Sequence, residues 1–108
     1  MNENVAKTVK EWFDQEGGSG LVLPDGLFGR PYDNVHELTL IAPLDEGLRI
    51  FLDENLLLYI TGEVSVEKKP GKLMLADFIK LDFIWKEYGS TKEHKKSYDG
   101  GMVEFVSS

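Results

Sequence analysis

The chain is 108 residues long, 42% apolar and 29% charged, the size and make-up of one globular domain, 1–108, that can bury its own core. It has no cysteine, which excludes disulfides, thiolate metal sites and a cysteine nucleophile together. Twelve basic against 19 acidic residues leave a net charge of −7, which repels a phosphate backbone and removes nucleic acid from the expected partners.

The N-terminal stretch MNENVAKTVKEW lacks the basic start and apolar run of a secretory signal. No apolar run approaches the ~20 residues of a membrane span. A cytoplasmic protein with no membrane segment is therefore expected. Residues 2–16 predict an amphipathic helix, because Val5, Val9, Trp12 and Phe13 fall on one face while Glu3, Lys7, Lys10, Glu11 and Asp14 lie off it. Asn2 or Asn4 offers an N-cap, and Gly17-Gly18 a left-handed exit.

Beyond the GGSG connector the apolar period changes to two and stays there. Strands are expected at 21–23, 36–42, 48–52, 56–61, 63–67, 73–78, 80–88 and 102–106, separated by the turn-forming stretches PLDEG, DEN, KKPGK and YDGG. Connections this short join antiparallel neighbours, so residues 21–106 read as a meander. In KLDFIWKEY the residues Leu81, Phe83 and Trp85 share one face. LRIFL and LLLYI, by contrast, are apolar on both faces, which calls for cover by further strands on one side and by the helix or a second subunit on the other. The polar stretch GSTKEHKKSYDGG (89–101) is either an exposed loop or an extended hairpin. The predicted fold class is α+β: one N-terminal helix packed on a curved antiparallel sheet of about six to eight strands, a roll or partly open barrel.

Candidate binding residues concentrate in LPDGLFGRPYDN (23–34) and just after it. Asp25-Gly26 is a turn dipeptide, and Arg30 is held extended between Gly29 and Pro31. Beside Tyr32, Asp33 and Asn34 that guanidinium suits bidentate capture of a carboxylate or phosphate. The same residues also suit a structural role, which stands ahead of the binding one: Arg30 bonds loop carbonyls or Asp25 or Asp33, and Phe28 and Tyr32 plug into the core. His36 adds a base or ligand nitrogen, although His36 and Glu37 point to opposite faces of a strand and do not share a metal. A second candidate contact is the cluster Lys92, Lys95 and Lys96: residues 63–96 hold eight lysines against six acidic residues, whereas residues 1–62 hold eleven acidic against four basic. The pairs Asp45/Glu46 and Asp53/Glu54 read as solvated turns.

No nucleophile elbow, phosphate loop, calcium loop or zinc set is present in the sequence, so no metal or cofactor is expected. LPDGLFGRPYDN together with FIWKEYGS after a strand series resembles a family of small proteins of Gram-positive bacteria, over Leu23 to Phe105. That family has no assigned activity, so the resemblance implies a fold and no catalytic residues. The leading expectation is a non-enzymatic binding or protein-interaction module. The alternatives are a ligand-binding protein or enzyme with an anion site at residues 24–36, and a self-associating domain that forms homodimers.

Overall fold

The computed structural model describes residues 2–28, 35–53, 55–86 and 91–107. Helix α1, Glu3–Glu16, buries Val5, Ala6, Val9, Trp12 and Phe13, the face marked by the apolar spacing. It stops at Gly17, whose φ of 82° suits only glycine comfortably and whose N–H closes on the Phe13 carbonyl. Asp14 and Glu16 near this end oppose the helix dipole, so the helix depends on its buried face. Trp12 and Phe13 meet Phe105 with ring centroids 6.4 and 5.0 Å apart. Burying rings of this size contributes about 1.5–3 kcal/mol each.

The strands are β1 (Ser19–Leu23), β2 (Gly26–Leu27), β3 (Leu38–Leu44), β4 (Gly47–Leu52), β5 (Leu56–Thr61), β6 (Ser65–Lys69), β7 (Lys72–Ala76), β8 (Lys80–Lys86), β9 (Glu93–Tyr98) and β10 (Val103–Ser107). Every pairing is antiparallel. The expected single sheet is two among the described residues, in the orders β2-β1-β10-β7-β6 and β3-β4-β5-β8-β9.

The hairpin β6–β7 lies between β5 and β8 in the chain but pairs in the other sheet. Gly62, at φ 103°, and Asp77, at φ 65°, flank it with positive-φ backbone, and β7 pairs with β10. Two strands were hidden from the apolar pattern: β2 is only two residues long, and β9 is almost wholly polar. Of the polar stretch 89–101, Glu93–Tyr98 pairs with β8 as the hairpin reading expects, with Trp85 opposite His94 and Leu81 opposite Tyr98, while residues 89 and 90 lie outside the described ones. The edge strands carry the usual protection against further pairing, lysines on β6 and β9 and Pro43 on β3.

The core lies between the sheets and the helix. Leu21, Leu75 and Phe105 enter from the first sheet, and Ile50, Leu58 and Phe83 from the second, all fully buried. The sheets are also stitched directly, since Ser19 and His36 exchange main-chain hydrogen bonds of 2.9 and 2.7 Å. Asn2 stands at the N-cap position without capping the helix. Its side chain instead bonds Gly47 and Gly62 carbonyls and the Val64 N–H. No helix among the described residues is long and apolar enough to cross a membrane.

Candidate functional site

The turn Pro24-Asp25 reverses the chain between β1 and β2, with Leu23 opposite Gly26 and Val22 opposite Leu27. Asp25 therefore projects from the tip of the first sheet's edge. Across from it runs β9, the edge of the second sheet. Lys96 donates to Asp25 Oδ2 at 3.1 Å and the Tyr98 hydroxyl to Oδ1 at 3.0 Å. Two sequence candidates named for different reasons, the loop aspartate and a lysine of the polar stretch, are thus one contact.

Strand alternation divides the lysine cluster. Lys96 shares a face with His94 and Tyr98, whereas Lys95 points to the opposite face, 3.9 Å from Asp82, and Lys92 precedes the strand. Tyr98 was missed by the sequence reading. The signal available for it was the i, i+2, i+4 spacing of His94, Lys96 and Tyr98, which becomes informative only once 93–98 is recognised as a strand.

Beneath the Asp25 contact lies a cleft of about 230 Å³ lined by Leu23, Asp25, Gly26, Phe28, Phe83, Trp85 and Lys96. Phe28 meets Phe83 edge-on at 4.8 Å, Trp85 stacks on Phe83 at 5.2 Å, and His94 stacks on Trp85 at 5.2 Å. Phe83 is fully buried and forms the floor, while Phe28 and Trp85 remain partly exposed as walls. Larger hollows among the described residues lie between α1 and β3, of about 320 Å³, and around Ile79, of about 410 Å³. Neither combines an aromatic wall with polar side chains converging from separate strands.

Of the remaining candidates, Arg30, Tyr32, Asp33 and Asn34 lie outside the described residues. His36 is buried, with Nδ1 2.8 Å from Asp53 Oδ2, and its ring lies 6.0 Å from Phe28. Asp53, expected to be a solvated turn residue, is a clamp: at φ 54° its other oxygen accepts the Glu37 N–H at 3.0 Å, and its carbonyl accepts the Thr39 hydroxyl. No group of three or more potential metal ligands is gathered among the described residues.

The electrostatics follow from the contact. Hydrogen bonds from Lys96 and then Tyr98 hold the Asp25 carboxyl below its ordinary value. Burial, and then the neighbouring Asp25, push the Tyr98 hydroxyl up to about 12. Tyr98 is therefore expected to ionise late in an alkaline ultraviolet titration. Tyr98→Phe should remove that late component, and Asp25→Asn should move it part of the way back toward 10. A titration unchanged by Tyr98→Phe would contradict the assignment. A raised pKa favours the neutral phenol in the folded state, so this contribution is complete below pH 10 and disappears as pH rises toward 12. For Asp25 the sign is opposite, with stability lost as pH falls through its depressed value.

Asp25 and Lys96 are both about half exposed, so water screens their attraction and an incoming charged group competes with it readily. No family model, curated protein or solved structure matches the chain.

Proposed function

We propose that the chain is a non-enzymatic protein-interaction module of a bacterial cytoplasm, and that it engages its partner through the cleft between β2 and β9. In this reading the two sheets form a roll, and the cleft is where its barrel stays open. The observation that carries the proposal is the Asp25, Lys96 and Tyr98 contact set over the aromatic walls of Phe28 and Trp85. A cleft of about 230 Å³ falls below the roughly 300–1,000 Å³ that encloses a drug-sized molecule. It fits one ring or one branched side chain, which favours a partner's anchor residue over a whole metabolite. Lys96 at the rim favours a carboxylate beside that anchor, which would take the lysine from Asp25.

The test is an amide NMR titration with short peptides carrying Phe-Asp or Phe-Glu, and Phe-Lys as control. Saturable shifts at Gly26, Phe28, Trp85 and Lys96 are expected from the acidic peptides. They should be lost in Lys96→Glu. Resonances that stay in place, or respond equally to Phe-Lys, would defeat the reading.

A second reading, a small enzyme or anion-binding protein, is favoured by the His36 and Asp53 pair. A carboxylate on Nδ1 is how an imidazole is oriented as a general base. Anion-induced shifts that vanish in Arg30→Ala but survive in Lys96→Glu would support it over the first.

A further inference from the structure

Among the described residues, the ion pairs of Lys69 with Glu67, Lys72 with Glu104, Lys80 with Asp82 and Lys95 with Asp82 each lie within a single sheet, with nitrogen and oxygen 3.7–3.9 Å apart. Lys96 and Asp25 differ on both counts. They join β9 of the second sheet to the β1–β2 turn of the first, and at 3.1 Å they are within hydrogen-bond distance. Strands β2 and β9 are each the outer strand of their sheet and pair only with β1 and β8. The contact is therefore made by side chains, and it opens without breaking a strand pairing.

Two donors converge on this one carboxylate. Lys96 takes Oδ2 and the Tyr98 hydroxyl takes Oδ1, from positions two residues apart on one face of β9. Such a fork suits any carboxylate, and Asp25 fills it from within the chain. Its hold is weak, because the Asp25 and Lys96 side chains are 51% and 55% exposed and water screens the pair. Once displaced, Asp25 stands at the tip of a two-residue turn, where water solvates its charge.

Asp25 and Lys96 are also rim residues of the cleft walled by Phe28 and Trp85. A carboxylate carried beside an anchor ring reaches Lys96 and Tyr98 only by taking them from Asp25. That exchange replaces one carboxylate by another and gains little by itself. The net gain has to come from the ring entering the cleft, so neither half of the ligand suffices alone.

Resting on the interaction reading above, we propose that Asp25 is a built-in competitor, a latch that occupies the Lys96 and Tyr98 donors until a partner's carboxylate displaces it. Tyr98 is thereby the second residue, after Lys96, that holds the partner's carboxylate.

The test compares the affinities of two end-capped dipeptides, Phe-Asp and Phe-Asn, for the wild type, Asp25→Asn and Asp25→Asn combined with Tyr98→Phe, measured by amide NMR. Asparagine keeps the turn chemistry of Asp25 and removes its charge. Asp25→Asn should bind Phe-Asp about three- to tenfold more tightly than wild type, the effect of removing an exposed, charge-assisted competitor. Phe-Asn should gain less than about twofold, having no charge to exchange. Adding Tyr98→Phe should cancel most of the gain for Phe-Asp. In the wild type the Asp25 carboxyl carbon resonance should move as Phe-Asp saturates the cleft and stay in place with Phe-Asn. Asp25→Ala, which removes the acceptor as well, should bind Phe-Asp at least as tightly as Asp25→Asn. If the wild type binds Phe-Asp through Lys96 but neither Asp25 variant binds it more tightly, or both dipeptides gain alike, the latch is overturned and the interaction reading stands. If no variant binds Phe-Asp, both are overturned.

Discussion

Replacing Asn2 with alanine is expected to lower the unfolding free energy by about 3 kcal/mol, far more than loss of a helix cap, which costs ~1 kcal/mol. The side chain is only 4% exposed and fully engaged. Its amide nitrogen donates to the carbonyls of Gly47 and Gly62, both at 3.0 Å, and its oxygen accepts the Val64 N–H at 3.0 Å. One side chain thus joins the start of the helix to the beginning of β4 and to the point where the chain leaves β5 for the other sheet. Alanine leaves three main-chain groups without their partner, and a buried polar group left unpaired costs roughly 1–3 kcal/mol. Asn2→Asp should be no better at neutral pH, because it retains the acceptor for Val64 but brings a carboxylate against two carbonyl oxygens. Its deficit should shrink on acidification, when the protonated acid can donate once. Urea unfolding with unchanged slope is the measurement. A loss under about 0.5 kcal/mol for Asn2→Ala would mean that the bridge is dispensable.

Gly47→Ala is expected to be comparably severe, costing about 3 kcal/mol or more, for a reason of space and not of backbone angle. A Cβ at this position would run into the Ile60 carbonyl oxygen and come within 3.2 Å of its carbon and 3.4 Å of Thr61 Cα. These are main-chain atoms of the adjoining strand, so no rotamer change relieves the contact and β4 must part from β5. That pairing carries Leu48, Ile50, Leu58 and Ile60, all fully buried, so the damage reaches the core. Thermal and urea unfolding should show either a large loss of stability or no folded protein. Since Gly47 also supplies a carbonyl to Asn2, the double variant should lose less than the sum of the single losses. An alanine variant as stable as wild type would contradict the close approach of the two strands.

Much of this molecule can be read from local pattern. The 3.6-residue spacing of Val5, Val9, Trp12 and Phe13 located the helix to within a residue and identified its buried face. Period-two alternation put Leu81 and Phe83 on one face, which is the buried one, and marked LRIFL and LLLYI as apolar on both faces. Asp25 and Lys96 were both legible as candidates. Their meeting was not, because 71 positions separate them and each lies on the edge of a different sheet. Asn2 looked like a cap because capping residues and buried bridging residues share the same chemistry. Asp53 looked like a solvated turn because its partners, His36 and the Glu37 N–H, come from another segment.

The sequence by itself determined composition, the helix, the strand periodicity and hence which side chains oppose which faces, since these depend on chain geometry over a few residues. Only the tertiary structure decided that the strands divide into two sheets and that β2 and β9 flank an aromatic cleft. Those outcomes depend on which edges come together. Edge pairing is a balance of burial and hydrogen bonding between segments far apart in the chain, and it leaves no periodic mark within either one.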